Sequence, residues 1–285
     1  MSLHSYVCAC CFPICLVLAL LAGSLPSQSA QAAPPGDPPK TAARPSPTGD
    51  AVPGEHPLAP AMKTTREALE LLDREYRDYS ATMVKRERID GKLSDYEYIY
   101  VKIRHKPFSV YTHFLKPESQ KGQEAIYVAG RNDGKLQAHG VGMQSLIGTV
   151  SLDPNGSMAM KGQRYPITQA GIRNLMLKIL EIGQREMEFG ECEVKFFQGA
   201  KVEGRTCTLV ELHHPKRRKE FAYALARVYV DDEYKAPVRF EGYEWGKKPG
   251  DAPVLIEEYT YTKLQFNRGF TDADFDTRNK SYKFE

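Results

Sequence analysis

The sequence predicts an α+β fold, in which an N-terminal helix precedes about ten antiparallel strands and a second helix is inserted between two groups of strands. Three observations predict it. Apolar residues recur at helical spacing in two segments, 65–78 and 168–187. Elsewhere the period is two, with β-branched and aromatic residues enriched. Short turn sequences separate these runs, and hairpin-length connections join antiparallel neighbours because parallel pairs need a long crossover.

Residues 1–32 are predicted to be a signal peptide. The stretch up to Ala33 contains no Lys, Arg, Asp or Glu, and Ile14 to Ala22 is continuously apolar. Small residues at Ala30 and Ala32 then provide a cleavage site. The apolar character extends back to Tyr6, so an uncleaved N-terminal membrane anchor is the alternative. Both interpretations predict export to the periplasm or cell envelope.

Residues 33–62 are predicted to be a disordered, proline-rich linker. Residues 33–60 hold nine of the nineteen prolines of the chain, with Ala, Ser, Gly and Thr between them. Such a composition buries too little apolar surface to offset the entropy of ordering. The prolines favour an extended spacer in front of a folded domain, which is predicted to comprise residues 63–285.

The first helix is predicted at residues 65–78. Thr64 and Glu67 have the spacing of a capping box, in which Thr64 would accept a hydrogen bond from the Glu67 amide. Helical spacing then recurs at Leu69, Leu72 and Tyr76. An amphipathic helix therefore opens the domain.

Five strands are predicted after the first helix and five more after the second. The turn chemistry of Asp90-Gly91, Lys106-Pro107 and Asn132-Asp133-Gly134 separates members of the first group. The predicted strands are 80–90, 94–104, 108–115, 123–129, 134–140, 191–201, 205–213, 222–231, 237–246 and 253–266.

The segment between the two groups, residues 142–166, is rich in glycine and is predicted to be irregular. A second helix follows, capped by Thr168 and ending near Met187. Its apolar residues cover more than one narrow stripe, so much of its circumference is expected to be buried.

Six cysteines reduce to two after signal cleavage, because only Cys192 and Cys207 follow the signal. A turn at Glu203-Gly204 would place Cys207 opposite Ala200, eight residues from Cys192. At about 3.3 Å per residue the two are more than ~20 Å apart, beyond disulfide range. Both thiols are therefore predicted to be free.

Charge excludes one class of partner. The net charge of +3 arises from many residues of both signs, so no nucleic-acid partner is predicted. The run Lys216 to Lys219 is a local exception. It is interpreted as a charged loop tip, with an anionic membrane surface or an acidic partner as the alternative.

Three segments have a distinctive local sequence, namely Lys85 to Gly91, Arg104 to Tyr111 and Lys121 to Val128. They resemble the opening strands of a bacterial family of exported domains of unassigned function, which belongs to the outer-membrane lipoprotein carrier (LolA-like) class. Pro237 to Phe240 and Glu258 to Tyr261 resemble the closing strands of that class. The likeness covers residues 65–276.

The resemblance implies a strongly curved antiparallel sheet, close to a half-barrel, with the inserted helix as a lid across its concave apolar face. Carriers of this class hold the acyl chains of a lipoprotein in that cavity. A sheet packed tightly on its helix would show the same alternation without any cavity. The candidate cavity and lid residues are Ile99, Val101, Ile103, Phe108, Val110, Phe114, Phe196, Val228, Phe240, Leu175, Met176 and Ile179.

The resemblance also suggests that an inward-pointing arginine latches the lid, and Arg104 is the candidate. The other strand charges, among them Glu87, Glu97 and Glu124, are expected to form solvated ladders on the outer face.

Motif inspection predicts no catalytic site, no metal site and no cofactor. The mature region has no Gly-x-Ser-x-Gly, His-Glu-x-x-His, Walker or Cys-x-x-Cys motif. His213 and His214 are adjacent on a strand and face opposite ways, so they are interpreted as a surface strand end and not as metal ligands.

The expected function is therefore a non-enzymatic envelope protein that binds or carries a lipid, an acyl chain or a lipoprotein, with peripheral or no membrane contact after cleavage. An envelope protein–protein interaction or sensor module without a ligand cavity is the alternative. A third reading, an enzyme with a dispersed site, has no motif to support it.

Overall fold

The computed structural model describes residues 54–248 and 250–284. The predicted signal peptide and the predicted linker up to residue 53 lie outside the described residues. Within those ranges, no helix is both long enough and apolar enough to cross a bilayer.

The first helix, α1 (Ala59–Glu75), begins earlier than the predicted residue 65. Its N-cap is Leu58, which makes no side-chain cap hydrogen bond, and a proline occupies its first turn. The predicted capping box is therefore wrong, because Thr64 lies within the helix. Pro60 starts the helix instead, since its ring fixes φ and its missing N–H is not needed in the first turn. The predicted boundary between linker and domain, at residue 62, consequently falls inside α1.

Within the described residues, seven strands precede the second helix. Their bounds are β1 (Asp78–Ile89), β2 (Lys92–Leu93), β3 (Glu97–Arg104), β4 (Ser109–Lys116), β5 (Glu124–Val128), β6 (Leu136–His139) and β7 (Thr149–Leu152). Five strands follow it, namely β8 (Glu193–Val202), β9 (Arg205–His213), β10 (Leu225–Asp231), β11 (Pro237–Glu244) and β12 (Val254–Phe266). The ten predicted strands are confirmed. The two-residue β2 falls between the predicted strands 80–90 and 94–104, and β7 falls in the glycine-rich segment that was predicted to be irregular.

All the strands belong to one antiparallel sheet with the order β7-β6-β5-β4-β3-β1-β12-β11-β10-β9-β8, and β2 pairs with β1. The first and last long strands, β1 and β12, are therefore neighbours at the centre, with Met83 opposite Tyr261. This pairing joins the two halves of the chain. The edges of the sheet are β7 and β8. Strand β7 lies in the segment between β6 and α2, residues 140–171, which is called the insert below.

The hairpin between β8 and β9 has the predicted register. Glu203 and Gly204 both have positive φ, as a two-residue type I′ turn requires, and Ala200 faces Cys207. Cys192 and Cys207 are free and buried, as predicted. Burial raises the pKa of Cys192 to about 11 and that of Cys207 to about 12, so both behave as apolar side chains at neutral pH.

The second helix, α2 (Ile172–Glu186), begins four residues after Thr168. Its N-cap is Gly171, with no side-chain cap hydrogen bond, so capping by Thr168 is wrong. Thr168 lies in a separate 3₁₀ turn, Ile167–Gln169. Helices α1 and α2 pack closely at Gly183, where an added Cβ would stand 2.3 Å from Met62 Sδ. Arg173 strengthens the contact with two hydrogen bonds to Asp73, of 2.6 and 2.9 Å.

The main core lies between these helices and β1, β3 and β4. It joins Leu72 of α1 and Met176 of α2 to Tyr79, Val101 and Val110 of the sheet. Burial of such side chains contributes about 25 cal/mol per Å² of apolar surface. Both helices are therefore held on one face of the sheet, and the C-terminal segment packs on the other face, where Phe275 and Phe284 cluster with Tyr111.

Candidate functional site

A cavity of about 620 Å³ lies between α2 and the concave face of the sheet. Its wall takes residues from all strands except β2 and β8. A flat sheet of eleven strands would extend over roughly 48 Å, too far for one such cavity. The sheet is therefore strongly curved, as predicted, and the cavity occupies its concave side.

Helix α2 forms one wall of the cavity through Leu175, Ile179 and Ile182. Its N-terminus is fixed to the sheet by Tyr79, which is fully buried and whose hydroxyl accepts a hydrogen bond of 2.9 Å from the Ile172 amide. Burial raises the pKa of Tyr79 well above its ordinary value, so the hydroxyl stays protonated. The position of α2 is thus set by a side chain beneath it.

Seven of the twelve predicted cavity residues line the wall, and five do not. The seven are Ile99, Phe114, Val228, Phe240, Leu175, Met176 and Ile179. Val101, Ile103, Phe108 and Val110 instead pack in the core beside the cavity, where α1 and the start of α2 touch the sheet. Phe196 lies on the edge strand β8, beyond the last strand of the wall. Alternation identifies the face of a residue, whereas helix contact decides whether a residue on that face borders open space.

Arg104 does not latch the lid, and this prediction is wrong. Its guanidinium pairs with Asp272 at 2.9 Å, donates to Ser109 Oγ at 3.0 Å and lies over the Phe275 ring. These partners belong to β4 and the C-terminal segment. Side chains alternate between the two faces of a strand. Because Ile103 packs against the helices, its neighbour Arg104 faces away from them.

A buried polar cluster closes one part of the cavity wall, around Glu257. Its carboxylate accepts hydrogen bonds from Tyr223 at 2.5 Å and from Tyr165 at 3.1 Å, and the Tyr259 hydroxyl oxygen lies 3.1 Å from it. Arg164 Nε lies 3.3 Å from the same carboxylate. Tyr165 and Arg164 belong to the segment before α2, so this cluster ties the insert to the sheet.

The cluster continues through Lys85 and Glu87 on β1. Lys85 Nζ donates to Glu87 at 3.0 Å and to Gln163 at 2.6 Å, and it pairs with Glu97 at 3.3 Å. Glu87 also accepts the Arg164 backbone amide at 3.1 Å and the Tyr259 hydroxyl. Buried charges of this kind persist because each is paired and hydrogen-bonded.

Solvated outer-face ladders were therefore the wrong prediction for Glu87, Glu97 and Glu124. All three carboxylates are buried, and the first two belong to the cluster. Glu124 accepts hydrogen bonds from Tyr111 and from the Lys283 amide, at 2.9 and 2.7 Å. Sequence alternation could not reveal this, because a paired buried charge and a solvated one occupy the same kind of strand position.

The tyrosines of the cluster act as hydrogen-bond donors. Burial and the nearby carboxylates raise the pKa of Tyr165, Tyr223 and Tyr259, so their hydroxyls hold their protons at neutral pH. Gly242 makes room for the ring of Tyr223, since a Cβ there would stand 2.5 Å from it. The arrangement holds the insert in place and supplies no activated nucleophile. Within the described ranges, no group of three or more His, Cys, Asp or Glu side chains is arranged to hold a metal ion.

His214 and Glu186 form a second buried pair, at the C-terminal end of α2. Each is 1% exposed, and His214 Nε2 lies 3.7 Å from Glu186 Oε2. The prediction of a surface strand end is correct for His213 and wrong for His214, whose ring stacks on Phe221 in the interior. The chain reverses after β9, which turns the second histidine inward.

The tautomer of His214 follows from its other nitrogen. Nδ1 lies 2.8 Å from the Tyr223 carbonyl oxygen, which can only accept, so Nδ1 carries a proton. Burial lowers the pKa of His214 and raises that of Glu186, so the imidazole is neutral at neutral pH. Nε2 is then a bare acceptor facing a carboxylate oxygen, and neither atom has a hydrogen-bond partner among the described residues.

We expect Glu186→Gln to stabilise the protein by roughly 1–2 kcal/mol at pH 7.5. The amide keeps the acceptor used by the Ala222 backbone N–H, at 2.9 Å, and turns a donor toward His214 Nε2. Because the pKa of Glu186 is raised, its ionisation costs stability as the pH rises above the ordinary value of 4.5. The advantage of the variant should therefore shrink toward pH 4. Urea unfolding at both pH values measures it.

Glu186→Ala is the control for this prediction, because it removes the acceptor for the Ala222 amide and should destabilise. A Gln variant less stable than the unchanged protein at pH 7.5 would show that the pair is charged and attractive. That outcome would contradict the neutral tautomer.

The basic run from Lys216 to Lys219 is an exposed loop between β9 and β10, in agreement with a charged loop tip. Three of its members are already paired, since Glu191 contacts Arg218 and lies 3.6 Å from Lys216, and Glu220 lies 3.7 Å from Lys219. Surface pairs of this kind contribute little to stability.

Fold and site together define a class of protein: a curved antiparallel half-barrel that encloses an apolar cavity beneath an inserted helix. The chain belongs to a protein family of unknown function, DUF1571, whose model matches residues 76–284. The predicted membership of a family without an assigned function is thereby confirmed. No curated protein matches the chain.

Several solved structures are similar at low identity. A DUF1329 family protein from Desulfovibrio piger is 14% identical, with 78% of this chain and 98% of that chain covered and a TM-score of 0.36. A LolA superfamily protein from Nitrosomonas europaea is 13% identical over 74% and 97% of the two chains, with a TM-score of 0.32. The Mycobacterium tuberculosis lipoprotein LppX is 13% identical over 76% and 100%, with a TM-score of 0.41.

Proposed function

We propose that this protein is a non-enzymatic, exported protein of the cell envelope that binds or carries an acyl chain, a lipid or a lipidated protein. The observation that carries the proposal is the cavity of about 620 Å³ under α2. Its volume lies within the range of roughly 300–1,000 Å³ that is typical of small-molecule sites.

The composition of the wall supports an apolar ligand. Aliphatic and aromatic side chains from α2 and the strands supply most of it, among them Leu175, Val228 and Phe240. Filling such a space with hydrocarbon removes apolar surface from water on both partners. The polar side chains of the wall around Glu257 hydrogen-bond to one another. They therefore hold the insert against the sheet and do not favour reaction with a substrate.

Export is part of the proposal. Residues 1–32 would direct the chain out of the cytosol and be cleaved, or be retained as an anchor. Residues 33 onward would then act as a spacer up to α1, which begins at Ala59.

Filling the cavity tests the proposal. Val228 on β10 lines the wall and is partly exposed to it, so Val228→Trp places an indole in the space available to a ligand. We expect at least about tenfold weaker binding of cis-parinaric acid, a fluorescent fatty acid, because an indole excludes several methylene groups worth ~0.8 kcal/mol each. Fluorescence titration measures the affinity.

Leu225→Trp is the matched control, since Leu225 lies on the same strand, faces the other side of the sheet and is absent from the cavity wall. Equal affinity of both variants and the unchanged protein would place any bound acyl chain outside the cavity. Mass spectrometry of organic extracts from the purified protein gives a second readout, and a protein consistently free of lipid would contradict the proposal.

A further inference from the structure

The loop between β6 and β7 exposes an unusual amount of apolar surface. It forms a 3₁₀ turn, Gly142–Ile147, in which Met143, Leu146 and Ile147 are 87%, 86% and 71% exposed. Large apolar side chains that project together into water mark an interaction site. The strands joined by this loop contribute Leu136, Ala138 and Leu152 to the cavity wall, so the loop extends directly from the walls of the proposed site.

Charge around the loop favours an anionic surface. No Asp, Glu, Lys or Arg occurs from Gly140 to Leu152. At the base of the loop, Val141 Cγ1 and Lys283 Nζ lie 3.6 and 3.9 Å from the position of a Cβ on Gly122. Lys283 and Ser145 of the loop also border one small pocket. Lys283 is exposed, and no carboxylate of the described residues pairs with its ammonium.

We propose that this loop, with Lys283 at its base, docks the protein on an anionic lipid bilayer. Three apolar side chains on one short turn supply only a fraction of the roughly 800 Å² per partner that a stable protein interface buries. They suit shallow insertion between lipid headgroups, where a few apolar side chains and a nearby lysine act together. The docking surface is independent of the cavity and goes beyond the proposed function.

Tryptophan placed in the loop tests the proposal in the full chain. In Leu146→Trp, phosphatidylglycerol-containing vesicles should shift the indole emission to the blue, and brominated lipids should quench it. The reference is Gln198→Trp, because Gln198 is exposed on β8 at the opposite edge of the sheet. Its emission should change little. Every variant also carries Trp245→Phe, which removes the native tryptophan, so the emission reports on the loop itself whether or not the N-terminus also contacts the membrane.

A second pair of variants tests the role of charge. Lys283→Gln in the Leu146→Trp protein should weaken partitioning of the loop about fivefold, since one lysine near such a surface contributes about 1 kcal/mol. Lys195→Gln on β8 should leave it unchanged. Absence of quenching in Leu146→Trp, equal quenching in Gln198→Trp, or equal partitioning into pure phosphatidylcholine would each overturn the proposal. Leu146→Ser should retain parinaric acid binding, so failure of docking is distinguishable from failure of ligand carriage.

Discussion

Glu257→Ala is expected to destabilise the folded protein by about 3–5 kcal/mol. Glu257 is fully buried and accepts hydrogen bonds from Tyr223 and Tyr165, while Arg164 lies 3.3 Å away. Alanine leaves these two hydroxyls without their acceptor and the partly exposed Arg164 without its counter-ion at that position. Each buried hydroxyl that loses its acceptor costs about 1–3 kcal/mol. Urea unfolding followed by circular dichroism at pH 7.5 measures the loss.

Two controls accompany this variant. Glu244→Ala changes an exposed strand glutamate on β11 and should alter stability by less than about 0.5 kcal/mol. Glu257→Gln keeps one acceptor oxygen and removes the charge, so its cost should lie between those of the other two variants. Faster amide exchange at residues 163–170 in Glu257→Ala would show that the insert has lost its attachment to the sheet. A loss below about 1 kcal/mol would show that the cluster does not stabilise the fold.

Gly171→Ala should cost about 2–5 kcal/mol and displace the start of α2. Gly171 has φ 104 and ψ 160, a region that only glycine occupies readily. An added Cβ would also stand 2.9 Å from the Tyr79 hydroxyl and 3.0 Å from Ile103 Cδ1, two fully packed side chains. Strain and overpacking each contribute about 1–3 kcal/mol. Denaturant unfolding measures the sum.

The comparison for Gly171 is Gly190→Ala. Gly190 has no neighbour within 4 Å of an added Cβ and no positive φ, so alanine there should be neutral or slightly stabilising. Because Tyr79 accepts the first amide of α2, displacement of Gly171 should also weaken the binding of cis-parinaric acid. Unchanged stability in Gly171→Ala would mean that the start of α2 shifts without cost.

Local patterns predicted the elements well and their first residues less well. The period of two located ten strands, and the Glu203-Gly204 turn fixed the register of β8 and β9. The predicted N-caps Thr64 and Thr168 were wrong, although both are hydroxyl residues at positions that suit a cap. Helix α1 instead begins at Ala59 with Pro60 in its first turn, and α2 begins directly after Gly171. Capping side chains contribute only about 1 kcal/mol, which tertiary packing easily outweighs.

The cavity shows the same division between local and tertiary information. Alternation placed Ile99, Val101 and Ile103 on one face, and all three are buried there. Only Ile99 borders the cavity, since α1 and α2 cover the other two. The ion pair between the insert and the sheet was not predictable either. Arg164 and Glu257 are 93 residues apart in the sequence, and no local period links them.

Local periodicity, turn chemistry and short motifs were enough to predict the α+β class, the antiparallel connections, the free thiols and the family. Only contacts between distant segments show that β1 and β12 pair, that Glu257 and not Arg104 holds the insert on the sheet, and that His214 is buried. Those contacts also show that space remains under α2. The physical reason is that cavities, buried charge pairs and protruding loops arise from contacts between distant segments, and a strand residue has the same local pattern whether it meets a helix, a carboxylate or open space.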